Sequence, residues 1–81
     1  MNNMSNNLNY AADFVGLRVH ANLPRHNRPD VVGDGQIIQQ EGGRITLMMD
    51  DGTNEGAILA LVRFLDPEAA RARIMAYTPT T

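Results

Sequence analysis

Between residues 33 and 53 the chain reads "GDGQIIQQEGGRITLMMDDGT", two short apolar runs separated and bounded by glycine-containing punctuation. Glycine tolerates the positive backbone dihedrals that two-residue hairpin turns require, and β-branched or apolar runs of this length suit strands better than helices. Gly42 and Gly43 therefore mark a hairpin between "QIIQQE" and "RITLMM", and "DDGT" marks a second turn of the Asp-Gly type. Gly33 and Gly35, on either side of Asp34, are expected to form a tight turn or bulge ahead of the hairpin. A chain folded back this often over so few residues can only be a small antiparallel sheet.

With Gly42 and Gly43 as the loop, the hairpin sets Glu41 opposite Arg44, Gln40 opposite Ile45, Ile38 opposite Leu47 and Ile37 opposite Met48. That register buries Ile38, Ile45, Leu47 and Met49 on one face. It leaves Ile37 beside Met48 on the other, to be covered by the C-terminal helix through Ile74 and Met75 or by a partner protein. A one-residue bulge would change this assignment.

Upstream, residues 1–9 are Asn-rich with little to bury and read as a disordered arm. The stretch from Tyr10 to His20 alternates Val15, Leu17 and Val19 with Gly16, Arg18 and His20, the period of a half-buried first strand. "ANLPRHNRPD" follows as a surface loop. Downstream, "NEGAILALVRFLD" fits a strand from about Gly56, with Ile58 near Ile45, leading to a turn over 62–65. It also fits a helix that buries Ile58, Leu61 and Leu65. Asp66 as N-cap, Pro67 at the first helical position and Glu68 in the first turn predict a helix over 67–76, with Ala70, Ile74 and Tyr77 on one face. Arg71 and Glu68 can pair on its exposed side. The organisation expected is an arm (1–9), a barrel (10–66) and a helix packed on or beside it (67–77).

At 81 residues the core is near the minimum that can offset chain entropy, and the absence of cysteine removes both disulfides and thiolate metal sites as supports. No apolar run approaches the roughly 20 residues of a membrane span, and "MNNMSNNLNY" lacks the features of a signal peptide, so a cytoplasmic location is expected. The net charge is -2, which does not suit a protein whose affinity comes from phosphate neutralisation. The seven cationic side chains are all arginine, and Arg18, Arg25, His26 and Arg28 gather with His20 in one segment ahead of most of the acids. This cluster is a candidate contact for an acidic protein surface or for phosphates.

The pattern of strand, loop, hairpin, Asp-Gly turn and closing apolar strand predicts a mainly β fold, a small SH3-like antiparallel barrel of four or five strands with a C-terminal helix. The run "GDGQIIQQEGGRITLMMDDGTNEGAILALVRFLDP", with "FVGLRVHANLP" upstream, resembles the Tudor-like domain at the C-terminus of bacterial DNA repair helicases and related transcription-associated factors. The resemblance covers about residues 14 to 67. It implies a non-catalytic docking module for RNA polymerase or nucleic acid. The small size, the absence of lysine and the missing host enzyme suit a small accessory protein or inhibitor, of the kind encoded by phage or mobile elements.

Other chemistry is less well supported by the residues. Asp50 and Asp51, with Glu55 nearby, lack further converging ligands and read as turn residues, and His20 and His26 do not have a zinc spacing. Neither Gly-rich turn opens a helix with a Lys-Ser/Thr sequel, so neither is a phosphate loop. The only serine, Ser5, lies in the arm, away from any histidine. Most of the four aromatics, Tyr10, Phe14, Phe64 and Tyr77, are needed for the core before any cage for a methylated cation. No enzyme activity, metal or cofactor is expected. The partner-binding candidates are Arg18, Arg25, His26, Arg28, Ile37 and Met48. Direct nucleic-acid binding through the arginine loop is the alternative, and a small oligomeric enzyme whose shared site is lined by Gln36, Gln39 and Gln40 is a second.

Overall fold

The computed structural model describes residues 11–77. Five antiparallel strands form one sheet: β1 (Arg18–Leu23), β2 (Val31–Glu41), β3 (Arg44–Met49), β4 (Asn54–Ile58) and β5 (Val62–Phe64). A 3-10 turn, Leu59–Leu61, joins β4 to β5, and the helix α1 (Pro67–Ala76) follows. The order across the sheet is β4-β3-β2-β1-β5, an arrangement compatible with an SH3-like barrel. The arm assigned to residues 1–9 lies outside the described residues. No helix among the described residues is long and apolar enough to cross a membrane.

β2 organises the sheet, because Val31–Gln36 pair with β1 while Gly35–Glu41 pair with β3. Gly33 and Gly35, expected to bracket a turn, instead lie inside this continuous strand. Gly35 is there for space. A Cβ at this position would lie 2.8 Å from the Met48 carbonyl oxygen and 3.0 Å from the Met49 sulfur, closer than packed atoms allow. The glycine that does turn the chain is Gly42, whose φ of 61° at the first loop position suits a type II′ hairpin.

The hairpin register begins as expected, with Glu41 opposite Arg44 and Gln40 opposite Ile45, then continues with Gln39 opposite Thr46. A bulge at Ile38 then shifts it, so that Ile37, not Ile38, stands opposite Leu47 and Gln36 stands opposite Met48. The extra residue flips the parity of the strand beyond it. Ile37 is consequently fully buried among Phe14, Val19, Leu47 and Leu59, while Ile38 is exposed. The expectation of an outward Ile37 and a buried Ile38 is reversed.

β1 also differs in its bounds. It starts at Arg18 and runs to Leu23, so Ala21 and Leu23, read as the start of a loop, are core residues and the excursion narrows to residues 24–30. Ahead of β1 the chain is held by a side chain that imitates a strand. The Gln40 amide accepts a hydrogen bond from Phe14 N at 2.8 Å and donates to Ala12 O at 2.9 Å. Beneath it, Phe14 packs against Phe64 with ring centroids 5.1 Å apart.

The ambiguous segment 54–65 is mostly strand. The Asp-Gly turn sets Thr46 opposite Gly56 and Arg44 opposite Ile58, one residue away from the expected meeting of Ile58 with Ile45. The 3-10 turn then drops Leu59 into the core. In α1 Asp66 caps Ala69 N, Ala70 is buried and Ile74 packs on the core. Arg73 ties the helix back by donating to Asp13 O at 2.8 Å and Val15 O at 3.0 Å. Met75, expected to help cover the sheet, is 76% exposed.

The bulge makes a sharp prediction. Ile37→Ala should cost about 2–5 kcal/mol of unfolding free energy and Ile38→Ala less than about 1 kcal/mol, measured by urea denaturation; the reverse order would restore the unbulged register. Gly35→Ala should cost about 1–3 kcal/mol in the same assay, because the Met48 backbone cannot yield without shifting the ladder.

Candidate functional site

The arginine-rich segment is folded against acids that come later in the chain. Arg18 leaves the outer face of β1 and forms a two-pronged contact with Asp50 just after β3, with Nη2 at 2.9 and 2.7 Å from the two carboxylate oxygens. That hydrogen bond, with the negative charge behind it, raises the Arg18 pKa. His20, one pleat further along, lies with Nδ1 2.8 Å from Asp34 Oδ1.

The loop 24–30 is anchored by Glu55 of β4. This carboxylate is only 9% exposed, and it accepts from Arg28 Nη2 at 2.7 Å, Arg28 Nη1 at 3.3 Å and Arg25 Nη2 at 3.2 Å. Hydrogen bonding from Arg28 outweighs the opposing effect of burial and, with the contact from Arg25, pushes the Glu55 pKa down and holds it ionised. Arg25 Nη2 also donates to Gly56 O at 2.8 Å, which joins the β1–β2 loop to the outer edge of β4.

The expected contacts thus divide. Arg18 and Met48 share a row of the outer face, on either side of Gln36. Arg25 and Arg28 converge on Glu55, and His26 stands exposed in the same loop. Ile37 belongs to neither group because it is core. Of the glutamines, Gln40 is held against the segment 12–14 and Gln36 donates to Gly16 O, so both have structural tasks. Asp51 accepts from the Thr53 side chain and backbone within the turn, and these bonds lower its pKa. Among the described residues no three His, Asp or Glu side chains come together as a metal site.

What the structure adds is a groove of about 760 Å³ between the loop and the β2–β3 hairpin. Leu23, Pro24 and Arg25 form one wall; Gln39–Glu41 and Arg44–Thr46 form another; Gly56–Ile58 and Leu61 complete it. Ile58 is 45% and Leu61 60% exposed, so the groove presents large apolar side chains to solvent. Of the two readings of this segment, the helix had both inside and the strand set Ile58 near Ile45. Counting back from the Asp-Gly turn is the signal that places Ile58 outside, on the face of Arg44 and Thr46. The exposure of Leu61 depends on the 3-10 turn and has no comparable local signature.

No family model, curated protein or solved structure matches the chain.

Because its pKa is lowered on folding, Glu55 contributes stability that is present above its ordinary value near 4.5 and is lost as pH falls through the lower folded value. Thermal unfolding between pH 7 and 3 should show this acid limb. Glu55→Gln should lower the midpoint at neutral pH and flatten the limb; a parallel displacement of the whole curve would mean that Glu55 does not carry the linkage.

Proposed function

We propose that the protein is a non-catalytic protein-binding module, and that it attaches to a larger nucleic-acid machine such as RNA polymerase as an accessory or inhibitor. The observation that carries the first part is the groove beside β4, where Ile58 and Leu61 stand exposed next to a rigid sheet. The second part rests on the likeness of residues 14 to 67 to the Tudor-like docking domain, supported by the SH3-compatible strand order.

The internal ion pairs weigh against direct nucleic-acid binding. Arg18 is neutralised by Asp50, and Arg25 and Arg28 share Glu55, so much of the cationic segment is already committed inside a chain of net charge -2. The same pairs move the binding surface from the arginine loop to the groove that the loop borders. Docking by the groove also agrees with the structural roles of Gln36 and Gln40, two of the three glutamines offered for a shared catalytic site.

Two measurements test the reading. Immobilised bacterial RNA polymerase should retain the wild-type chain and lose it on Leu61→Asp, a change at an exposed side chain; retention of neither counts against that partner, and equal retention of both counts against the groove as its binding surface. Titration into labelled DNA and RNA at low and moderate salt should show no salt-dependent binding, and a steep salt dependence would return the function to nucleic acid.

A further inference from the structure

Building on the protein-binding reading, we infer that the groove receives a partner-protein segment carrying an acidic residue beside apolar ones, gripped by its side chains and not added as a sixth strand. Three features lead there: the protected edge of β4, the apolar floor and an unpaired arginine.

β4 is an edge strand, and an open edge is the usual place for a peptide to add by backbone hydrogen bonding. Which of its residues face outward follows from the turns. Met49 N donates to Thr53 O and Leu59 N donates to Gly43 O, so the odd-numbered residues of β4 bond to β3 while Asn54, Gly56 and Ile58 direct their backbone groups away from it. The central outward carbonyl, Gly56 O, is already occupied by Arg25 Nη2, and that guanidinium is held by the ionised Glu55. A strand arriving at β4 would have to break a charge-assisted contact anchored on a buried carboxylate. The edge is guarded.

The groove offers Ile58 and Leu61 as apolar contacts. Of its lining charges, Arg25 is already held by Glu55, which leaves Arg44 and one acid, Glu41. Arg44 stands opposite Glu41 in the hairpin, yet no ion pair joins them and Arg44 has no side-chain partner among the described residues. An unpaired arginine beside exposed Ile58 and Leu61 is complementary to an Asp or Glu flanked by apolar residues.

The test is selection from a random dodecapeptide phage library on the folded chain, followed by affinity measurements on synthetic copies of the enriched peptides. Enriched peptides should carry Asp or Glu near Leu, Ile, Val or Phe. Leu61→Asp and Arg44→Glu should each weaken them by about tenfold or more, Glu41→Gln should leave binding equal or tighter, and N-methylation of alternate peptide amides should be tolerated. Circular dichroism of each variant confirms that the sheet is retained. Enrichment of basic peptides that Leu61→Asp still abolishes would overturn the acidic preference while leaving the binding module intact. Loss of binding on N-methylation would overturn the side-chain mode in favour of strand addition. Peptides indifferent to both groove variants, or no enrichment at all, would overturn the groove as the site, and the polymerase capture above then reports independently on the module itself. A concentration-dependent dimer in sedimentation that Leu61→Asp abolishes would make a second copy the occupant and overturn the inference.

Discussion

The close approach of β2 to β3 at Gly35 is the constraint on which the rest of the sheet depends. β2 is the one strand that serves both halves, pairing with β1 through its first part and with β3 through its second. The residues shared by the two ladders are Gly35 and Gln36, where the absent side chain lets the Met48 carbonyl and the Met49 side chain come in. Three residues later the bulge at Ile38 resets the parity and sends Ile37 into the core. Together these two local features allow a single strand to leave one ladder and enter another while keeping a continuous apolar face. Ile37 thereby joins Phe14, Val19, Leu47 and Leu59 in one buried cluster.

Polar interactions finish what this core leaves open. The Gln40 amide supplies the backbone partners that the segment 12–14 would otherwise lack, and Arg73 does the same for Asp13 and Val15 from the last turn of α1. Glu55 draws Arg25 and Arg28 together and thereby fixes the β1–β2 loop over the edge of β4. These contacts are charge-assisted or doubly bonded, which suits a chain with neither disulfides nor the area for a large core. They also decide what the surface can do. Arginines that a linear reading offers to a partner are spent internally, and the groove that they frame becomes the accessible feature.

Much of the fold was legible because turn chemistry and periodicity are local. Gly42 with Gly43 and the Asp-Gly turn located β3 between two hairpins, and Asp66 with Pro67 located the start of α1. The site was legible only in part. The cationic residues were identifiable, but their acidic partners lie far along the chain, with Asp50 32 positions from Arg18 and Glu55 27 positions from Arg28. Ile37 was misplaced for a related reason: a bulge leaves no mark in an "II" pair, since either residue is chemically fit for the core. Leu61 carried no local sign that a 3-10 turn would expose it.

By itself, then, the sequence determined a mainly β chain with its two hairpin turns and its helix in place, because glycine dihedrals, apolar alternation and helix capping act over a few residues. Tertiary structure alone decided which isoleucine of β2 is core, which arginines are neutralised and where the groove opens. Those outcomes depend on contacts between segments that the order of residues does not bring together, and in a core this small one shifted residue is enough to exchange inside for outside.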